Sequence, residues 1–251
     1  MKFVLSLALF LATTGTALAQ GDPRSFPTTG YTITDDAIWS FFTQYGGTST
    51  FGEPISREFV LMGTPVQLFQ NAALQVQSDG FIQVQPMQLT DPGLLPYTSL
   101  AGLTVPAANP ATAFVAPSPD QSNYMGRLQV FVQALVTEPF RTTYNASGGT
   151  TVWQLPTSAP TVDPHNPNFI YQRFQTGILF YDASAGTTQA LPLGSYLKDL
   201  LTGQNLPADL ASEAAGSPLL GQYAATQPNG LAHPSLLTHT DLTNAFLPDA
   251  I

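Results

Sequence analysis

The chain has 251 residues, with 16 acidic against 7 basic side chains and no cysteine. A formal net charge of −9 disfavours nucleic-acid partners, because such proteins need lysine and arginine to neutralise phosphates. An anionic membrane surface is disfavoured for the same reason. Without cysteine the protein has no disulfide bonds and no thiol chemistry, so its stability must come from an apolar core.

The first 19 residues have the features of a signal peptide. Lys2 precedes an apolar run at residues 3–12, which is too short to span a bilayer. Ala17, Leu18 and Ala19 fit the small-x-small pattern that precedes a cleavage site. We therefore expect cleavage between Ala19 and Gln20 and a secreted, extracellular or cell-surface product. No later apolar run is long enough for a membrane helix, so no membrane span is expected in the mature chain.

Residues 20–90 form the first predicted module. Thr34 or Asp35 can cap a helix whose apolar residues fall on one face, and Gly46 can end it. Short strands separated by turn residues follow, and Asp79-Gly80 is a hairpin signal between two of them. The helical face consists of Ile38, Phe41, Phe42 and Tyr45.

The rest of the chain divides into three further segments. Residues 91–120 hold six prolines and are predicted to form a connector. Residues 121–194 again combine a helical pattern with strands and form the second predicted module. Residues 195–251 begin with an apolar helical stripe and form a helical C-terminal extension.

The two modules share a pattern that indicates a tandem repeat. The Gly46-Gly47-Thr48 turn returns as Gly148-Gly149-Thr150, 102 residues later, and Pro54 corresponds to Pro156. After one three-residue insertion, the stretch 67–70 corresponds to 172–175 at an offset of 105 residues. We therefore predict an α+β fold, built from two related small helix-plus-β-hairpin modules and a helical C-terminal tail.

Loop carboxylates are the candidates for catalysis. Glu53, Asp163 and Asp182 lie in or near the loops of the two modules, where a glycosidase would need two carboxyl groups across a cleft. Isolated acids on solvated turns are the simpler interpretation. The position of the second module that corresponds to Glu53 holds Leu155. A serine nucleophile at Ser184 lacks the glycine and the helix that a nucleophile elbow requires.

The sequence offers no recognisable cofactor or metal site. His165, His233 and His239 have no partner at the spacing of known metal motifs, and no phosphate-binding glycine loop is present. We therefore expect no cofactor and no metal.

Aromatic residues are the candidates for ligand binding. Flat aromatic rings beside glutamine and asparagine are typical of sugar-binding surfaces, whereas aromatics on a helical stripe are more often core. The candidates are Phe51, Trp153, Tyr171 and Tyr181.

Residues 46–77, GGTSTFGEPISREFVLMGTPVQLFQNAALQVQ, resemble LGFP-type repeats of actinobacterial cell-envelope proteins. They look still closer to uncharacterised secreted proteins of Chloroflexota, and so does the stretch 170–211. The chain departs from the LGFP pattern at residues 51–54, where FGEP replaces LG.P, and its second copy lacks that glycine. The resemblance implies a cell-envelope or surface role as a binding or spacer module, and it supplies no catalytic residues.

The expected function is thus an exported, non-catalytic cell-envelope or extracellular binding module, with cell-wall or extracellular polysaccharide as the favoured ligand. Two alternatives stay open. One is a secreted hydrolase of wall or environmental polymer that uses the loop carboxylates. The other is a structural surface protein that assembles with itself.

Overall fold

The computed structural model describes residues 22–77, 84–91, 94, 99–100, 103–104, 123–206 and 208–249. The predicted leader, the Asp79-Gly80 turn and most of the predicted connector lie outside these residues. The helices are α1 (Asp36–Gln44), α2 (Thr48–Phe51), α3 (Tyr124–Leu135), α4 (Phe140–Ala146), α5 (Leu193–Thr202) and α6 (Ala208–Ala214). The strands are β1 (Ser25–Phe26), β2 (Tyr31–Thr32), β3 (Phe59–Leu61), β4 (Thr64–Leu68), β5 (Ala73–Val76), β6 (Val84–Pro86), β7 (Ser99–Leu100), β8 (Leu103–Thr104), β9 (Thr161–Val162), β10 (Phe169–Arg173), β11 (Ile178–Asp182) and β12 (Thr187–Ala190).

The first module is one helix layer on an antiparallel sheet. Asp35 caps α1 by accepting a hydrogen bond from Ile38 N at 2.8 Å, as expected for an aspartate at this position. The helix ends before Gly46 and Gly47, which both have positive φ. Strands β3, β4, β5 and β6 pair in that order, and the β1–β2 hairpin forms a two-stranded sheet of its own.

The second module repeats this arrangement. Helix α4 ends before Gly148 and Gly149, again with positive φ, and a short 3-10 helix follows at Gly149–Thr151. Strands β9, β10, β11 and β12 pair in that order in a second antiparallel sheet. Helix α3 precedes α4 in the chain, at the place where β1 and β2 precede α1.

Buried glutamines make the same hydrogen bonds in both modules. Gln67 Nε2 donates to Ser56 O and Thr32 O, both at 3.0 Å. Gln172 Nε2 donates to Ser158 O at 3.2 Å and Leu135 O at 2.9 Å. Because a buried carbonyl needs a donor, each glutamine ties the sheet to the segment that precedes its module's helix.

Aromatic rings repeat as well. Phe42 stacks on Phe69 with ring centroids 5.3 Å apart and planes at 25°. Tyr144 stacks on Phe174 at 5.2 Å and 24°. These rings belong to one apolar cluster, which also includes residues of α1, α4 and both sheets. The helical faces of the two modules therefore share a core.

The modules also contact each other reciprocally. Thr90, which follows the last strand of the first module, donates from Oγ1 to Phe174 O at 2.7 Å. Gly194, which follows the last strand of the second, lies so close to Phe69 O that it has no room for a Cβ. Since Phe69 and Phe174 are equivalent, residue 90 contacts one module as residue 194 contacts the other. Such reciprocity is the property of a two-fold arrangement.

The C-terminal extension closes the first module. Helix α5 buries Leu197, Leu200 and Leu201 in a second apolar cluster, which Phe246 also joins. Farther on, Asp241 pairs with Val60 through two backbone hydrogen bonds of 2.8 and 3.1 Å. The extension therefore covers the outer edge of β3.

These features confirm an α+β fold with a helical C-terminal region. The chain contains no cysteine. Within the described ranges, no helix combines the length and the apolar character needed to cross a membrane.

Candidate functional site

Asp163, a predicted catalytic candidate, is buried and serves as a loop cap. Its Oδ1 accepts hydrogen bonds from His165 N at 2.7 Å and Asn166 N at 3.0 Å. These bonds hold the turn between β9 and β10, as aspartate does in Asx turns. The carboxylate also faces Tyr171, whose phenol has a pKa raised by burial first and by Asp163 second. Its surroundings are those of a structural group.

Asp182 and Glu53 occupy separate turns. Asp182 is half-buried and accepts hydrogen bonds from Ser184 Oγ, Ser184 N and Ala185 N. The bond from the Ser184 hydroxyl is the main cause of its lowered pKa. The backbone of Glu53 forms two hydrogen bonds with Gln70, both at 3.0 Å. Glu53 O accepts from Gln70 N, and Glu53 N donates to Gln70 Oε1. Neither of two cavities, of about 920 and 310 Å³, is lined by Glu53, Asp163 or Asp182.

Three of the four aromatic candidates are core residues. Phe51, Trp153 and Tyr171 are 1 %, 5 % and 1 % exposed. Only Tyr181 is half-buried, and its side chain packs against the cluster of the two helical faces. The exposed aromatic row that would favour sugar stacking is therefore not formed by these residues. The reason is that each of the three buried rings packs against core aromatics of its own module.

The histidines do not assemble a metal site. No cluster of three or more histidine, aspartate or glutamate side chains occurs among the described residues. His239 and Asp241 line a small cavity of about 310 Å³ beside β3, together with apolar residues of the C-terminal extension. Asp241 there accepts a hydrogen bond from Thr243 N at 2.8 Å, and bonding to Thr243 lowers its pKa.

A groove of about 920 Å³ lies between α3 and α4, and we call it the α3–α4 groove. One wall is a stripe of α3 at the i, i+3, i+4 spacing that places side chains on one helical face. The lining residues are Met125, Leu128, Gln129, Val132, Gln133, Val136, Arg141, Tyr144, Asn145, Gly148, Gly149 and Thr150.

Helix α3 contributes a wall because it is only partly packed. It has no fully buried side chain, although Leu128 and Val132 are half-buried against the body of the protein. Met125 is 70 % exposed. A helix normally places its apolar stripe against a core, so this helix retains apolar surface that another molecule can cover.

Arg141 fixes the two walls to each other. Its Nε donates to Val136 O at 2.9 Å and one terminal nitrogen donates to Gln133 O at 3.2 Å. These carbonyls belong to the C-terminal end of α3, where a cation is favoured. Among the described lining residues, Arg141 is the one charged group, and it is thus occupied in joining α4 to α3.

The described lining of the groove combines apolar side chains with side-chain amides. No carboxylate or imidazole is among its described lining residues. Leu128, Val132 and Val136 give it an apolar floor, and the amides of Gln129, Gln133 and Asn145 lie along it. Tyr144 stays neutral because burial raises the pKa of its phenol, which donates to Gln154 O at 3.1 Å.

Sequence reasoning identified the helical spacing of α3 but assigned none of its residues to a site. The available signal was the number of apolar residues in this helix, since two of them, Met125 and Val130, are exposed in the structure. Comparison of the chain with protein-family models, with curated proteins and with solved structures finds no match. The candidate site therefore rests on its own geometry.

Proposed function

We propose that this protein is an exported, non-catalytic binding module of the cell envelope or the extracellular space, and that the α3–α4 groove is its binding surface. The observation that carries the proposal is the groove itself: a large opening with an apolar floor, amide side chains and no acid or base among its described lining residues. Ligand sites are typically concave and mostly apolar, with few polar groups that fix orientation.

The sequence supports the extracellular placement. The features of residues 1–19 predict export, and the resemblance of residues 46–77 to LGFP-type repeats implies an envelope or surface role. We also infer that the two modules arose by tandem duplication, which the recurring hydrogen bonds of Gln67 and Gln172 support. Duplication followed by divergence explains how one module acquired a groove that the other lacks.

The test is retention of the purified protein on cell-envelope fragments and on a panel of polysaccharides. Gln129→Trp places a large ring in the groove from an exposed helical position. Ala134→Trp, on an exposed face of the same helix that does not line the groove, is the matched control. We expect retention on at least one polymer, loss with Gln129→Trp and no change with Ala134→Trp.

Two results would overturn the proposal. Absence of retention on every polymer would remove the envelope-binding role. Release of reducing sugar that disappears in Glu53→Gln would replace it with the hydrolase alternative, since that carboxylate lies outside the groove.

A further inference from the structure

The first module shows what fills the equivalent of the groove. Trp39 and Arg141 are equivalent positions, because Trp39 N donates to Asp35 O and Arg141 N donates to Thr137 O, both at 3.0 Å. Phe42 and Tyr144 are equivalent through their matching stacks. The space beside Phe42 and the groove beside Tyr144 can therefore be compared directly.

In the first module this space is closed by aromatic contacts from the β1–β2 hairpin. Phe26 meets Phe42 edge-on, with ring centroids 5.8 Å apart and planes at 84°. Arg24 lies over the Trp39 ring at 5.5 Å and pairs with Asp36 at 2.6 Å. Edge-to-face rings and cation–π contacts are both favourable when they exclude water.

Among the described residues that line the groove of the second module, no aromatic ring takes the place of those closing groups. Helix α3 replaces the hairpin, as the glutamine bonds to Thr32 O and Leu135 O show. Arg141 replaces Trp39 and turns its guanidinium to the carbonyls of α3. Apart from Tyr144, no described residue that lines the groove is aromatic. Because Tyr144 and Arg141 line the groove, it lies at the place that corresponds to the surroundings of Phe42 and Trp39 in the first module.

We propose that the α3–α4 groove binds an extended peptide segment through an aromatic side chain, which takes the place that Phe26 takes beside Phe42. This proposal rests on the proposed binding function and names its ligand class. The aromatic ring covers the half-buried Leu128 and Val132, beside the Arg141 guanidinium that stays bonded to the carbonyls of α3. Gln129, Gln133 and Asn145 can pair with the backbone amides of the peptide, which need donors and acceptors once water is excluded.

The probe is a synthetic peptide that copies residues 22–30, which include Phe26, and carries Arg24→Gln to avoid repulsion from Arg141. Its titration into the isotope-labelled protein is followed by amide chemical shifts. We expect saturable shifts confined to α3, α4 and residues 148–150. Aromatic anchors dominate such interfaces, so the same peptide with Phe26→Ala should bind at least about tenfold more weakly.

Groove variants separate this inference from the proposed function. We expect Gln129→Trp to abolish the peptide-induced shifts and Ala134→Trp to leave them unchanged. Equal binding of the Phe26→Ala peptide, or shifts that persist in Gln129→Trp, would overturn the inference. If the peptide fails but polysaccharide retention still depends on Gln129, only the peptide inference is wrong. If the peptide binds but the protein is retained on no envelope polymer, the envelope role is wrong and the peptide site stands.

Discussion

Trp153 holds in the second module the place that Phe51 holds in the first. The Phe51 ring lies 6.2 Å from Phe69 with planes at 57°, and the Trp153 ring lies 5.9 Å from Phe174 with planes at 54°. Each ring packs on the phenylalanine that directly follows an inner strand of its sheet, which is Phe69 after β4 and Phe174 after β10. The difference between Phe51 and Trp153 is thus a difference in core packing, although the sequence makes both residues candidates for ligand binding.

Truncation of either ring should therefore reduce stability. We expect Phe51→Ala and Trp153→Ala each to lower the free energy of unfolding by roughly 3 to 5 kcal/mol, because each removes a large buried side chain. Trp153→Phe should cost only about 1 kcal/mol, mainly from the lost hydrogen bond to Ser147 Oγ. Denaturant unfolding measures all three. A stable Trp153→Ala protein with impaired polymer binding would show instead that this ring is a ligand contact.

The paired glutamines give a second prediction. Gln67→Leu and Gln172→Leu each remove the side-chain donor of two carbonyl groups, one in a buried hydrogen bond and one in a partly buried hydrogen bond. We expect each substitution to cost about 2 to 4 kcal/mol, since an unsatisfied buried acceptor pays its desolvation penalty. The two costs should be similar because the bonds are equivalent. A large effect in one module and none in the other, measured by denaturant unfolding, would contradict that equivalence.

The contact between modules at Gly194 is the subject of a third prediction. A Cβ at this position would overlap Phe69 O and crowd Ala72 O, and backbone atoms cannot move aside as a flexible side chain can. We expect Gly194→Ala to lower the thermal midpoint and to cost about 3 kcal/mol. Gly216→Ala is the matched control, because a Cβ there meets no atom within 4 Å. Its stability should stay within about 0.5 kcal/mol of the parent protein.

The turns that end α1 and α4 could be predicted from the sequence because glycine adopts positive φ more readily than other residues do. The glycine pairs must adopt positive φ, and they recur 102 residues apart as Gly46-Gly47 and Gly148-Gly149. Burial of Tyr171 could not be read in this way, because alternation along a strand does not say which face is covered. Its burial depends on contacts distant in the chain, because Tyr171 lies in one apolar cluster with residues of the first sheet and of α5.

The groove was hidden for a related reason. Helix α3 has the same apolar spacing as α1, and spacing alone does not distinguish a helix that fills a core from one that borders an opening. The difference depends on whether a ring such as Phe26 arrives from another segment. Apart from Tyr144 itself, none of the described residues that line the groove supplies such a ring.

Buried tyrosines predict a dependence of stability on alkaline pH. Burial raises the pKa of Tyr144 above its ordinary value of 10.0. The folded state therefore keeps this proton when the unfolded state has lost it, so the associated stability is complete below pH 10 and falls as pH rises above 10. We expect the free energy of unfolding to decrease above pH 10, and less steeply in Tyr144→Phe. An identical slope in that variant would show that Tyr144 ionises normally.

The last prediction concerns the free edge of the second sheet. In the first module the outward backbone groups of Val60 pair with Asp241 of the C-terminal extension. At the equivalent Val162, which is 52 % exposed, no backbone group in the described part of the chain pairs with the outward N–H and C=O. Asp163 N bonds to Phe169 O of β10, so by alternation the residues at 160, 162 and 164 face outward.

Two of these three outward residues are Pro160 and Pro164, which have no N–H to offer a further strand. The prolines therefore protect an edge that the C-terminal extension does not cover. We expect the double substitution Pro160→Thr, Pro164→Thr to increase aggregation, followed by light scattering, while the free energy of unfolding changes by only about 1 kcal/mol. Pro167→Thr, an exposed proline of the same loop, is the control and should remain dispersed. If the double variant stays monodisperse at concentrations where destabilised variants aggregate, the edge is protected by some other feature.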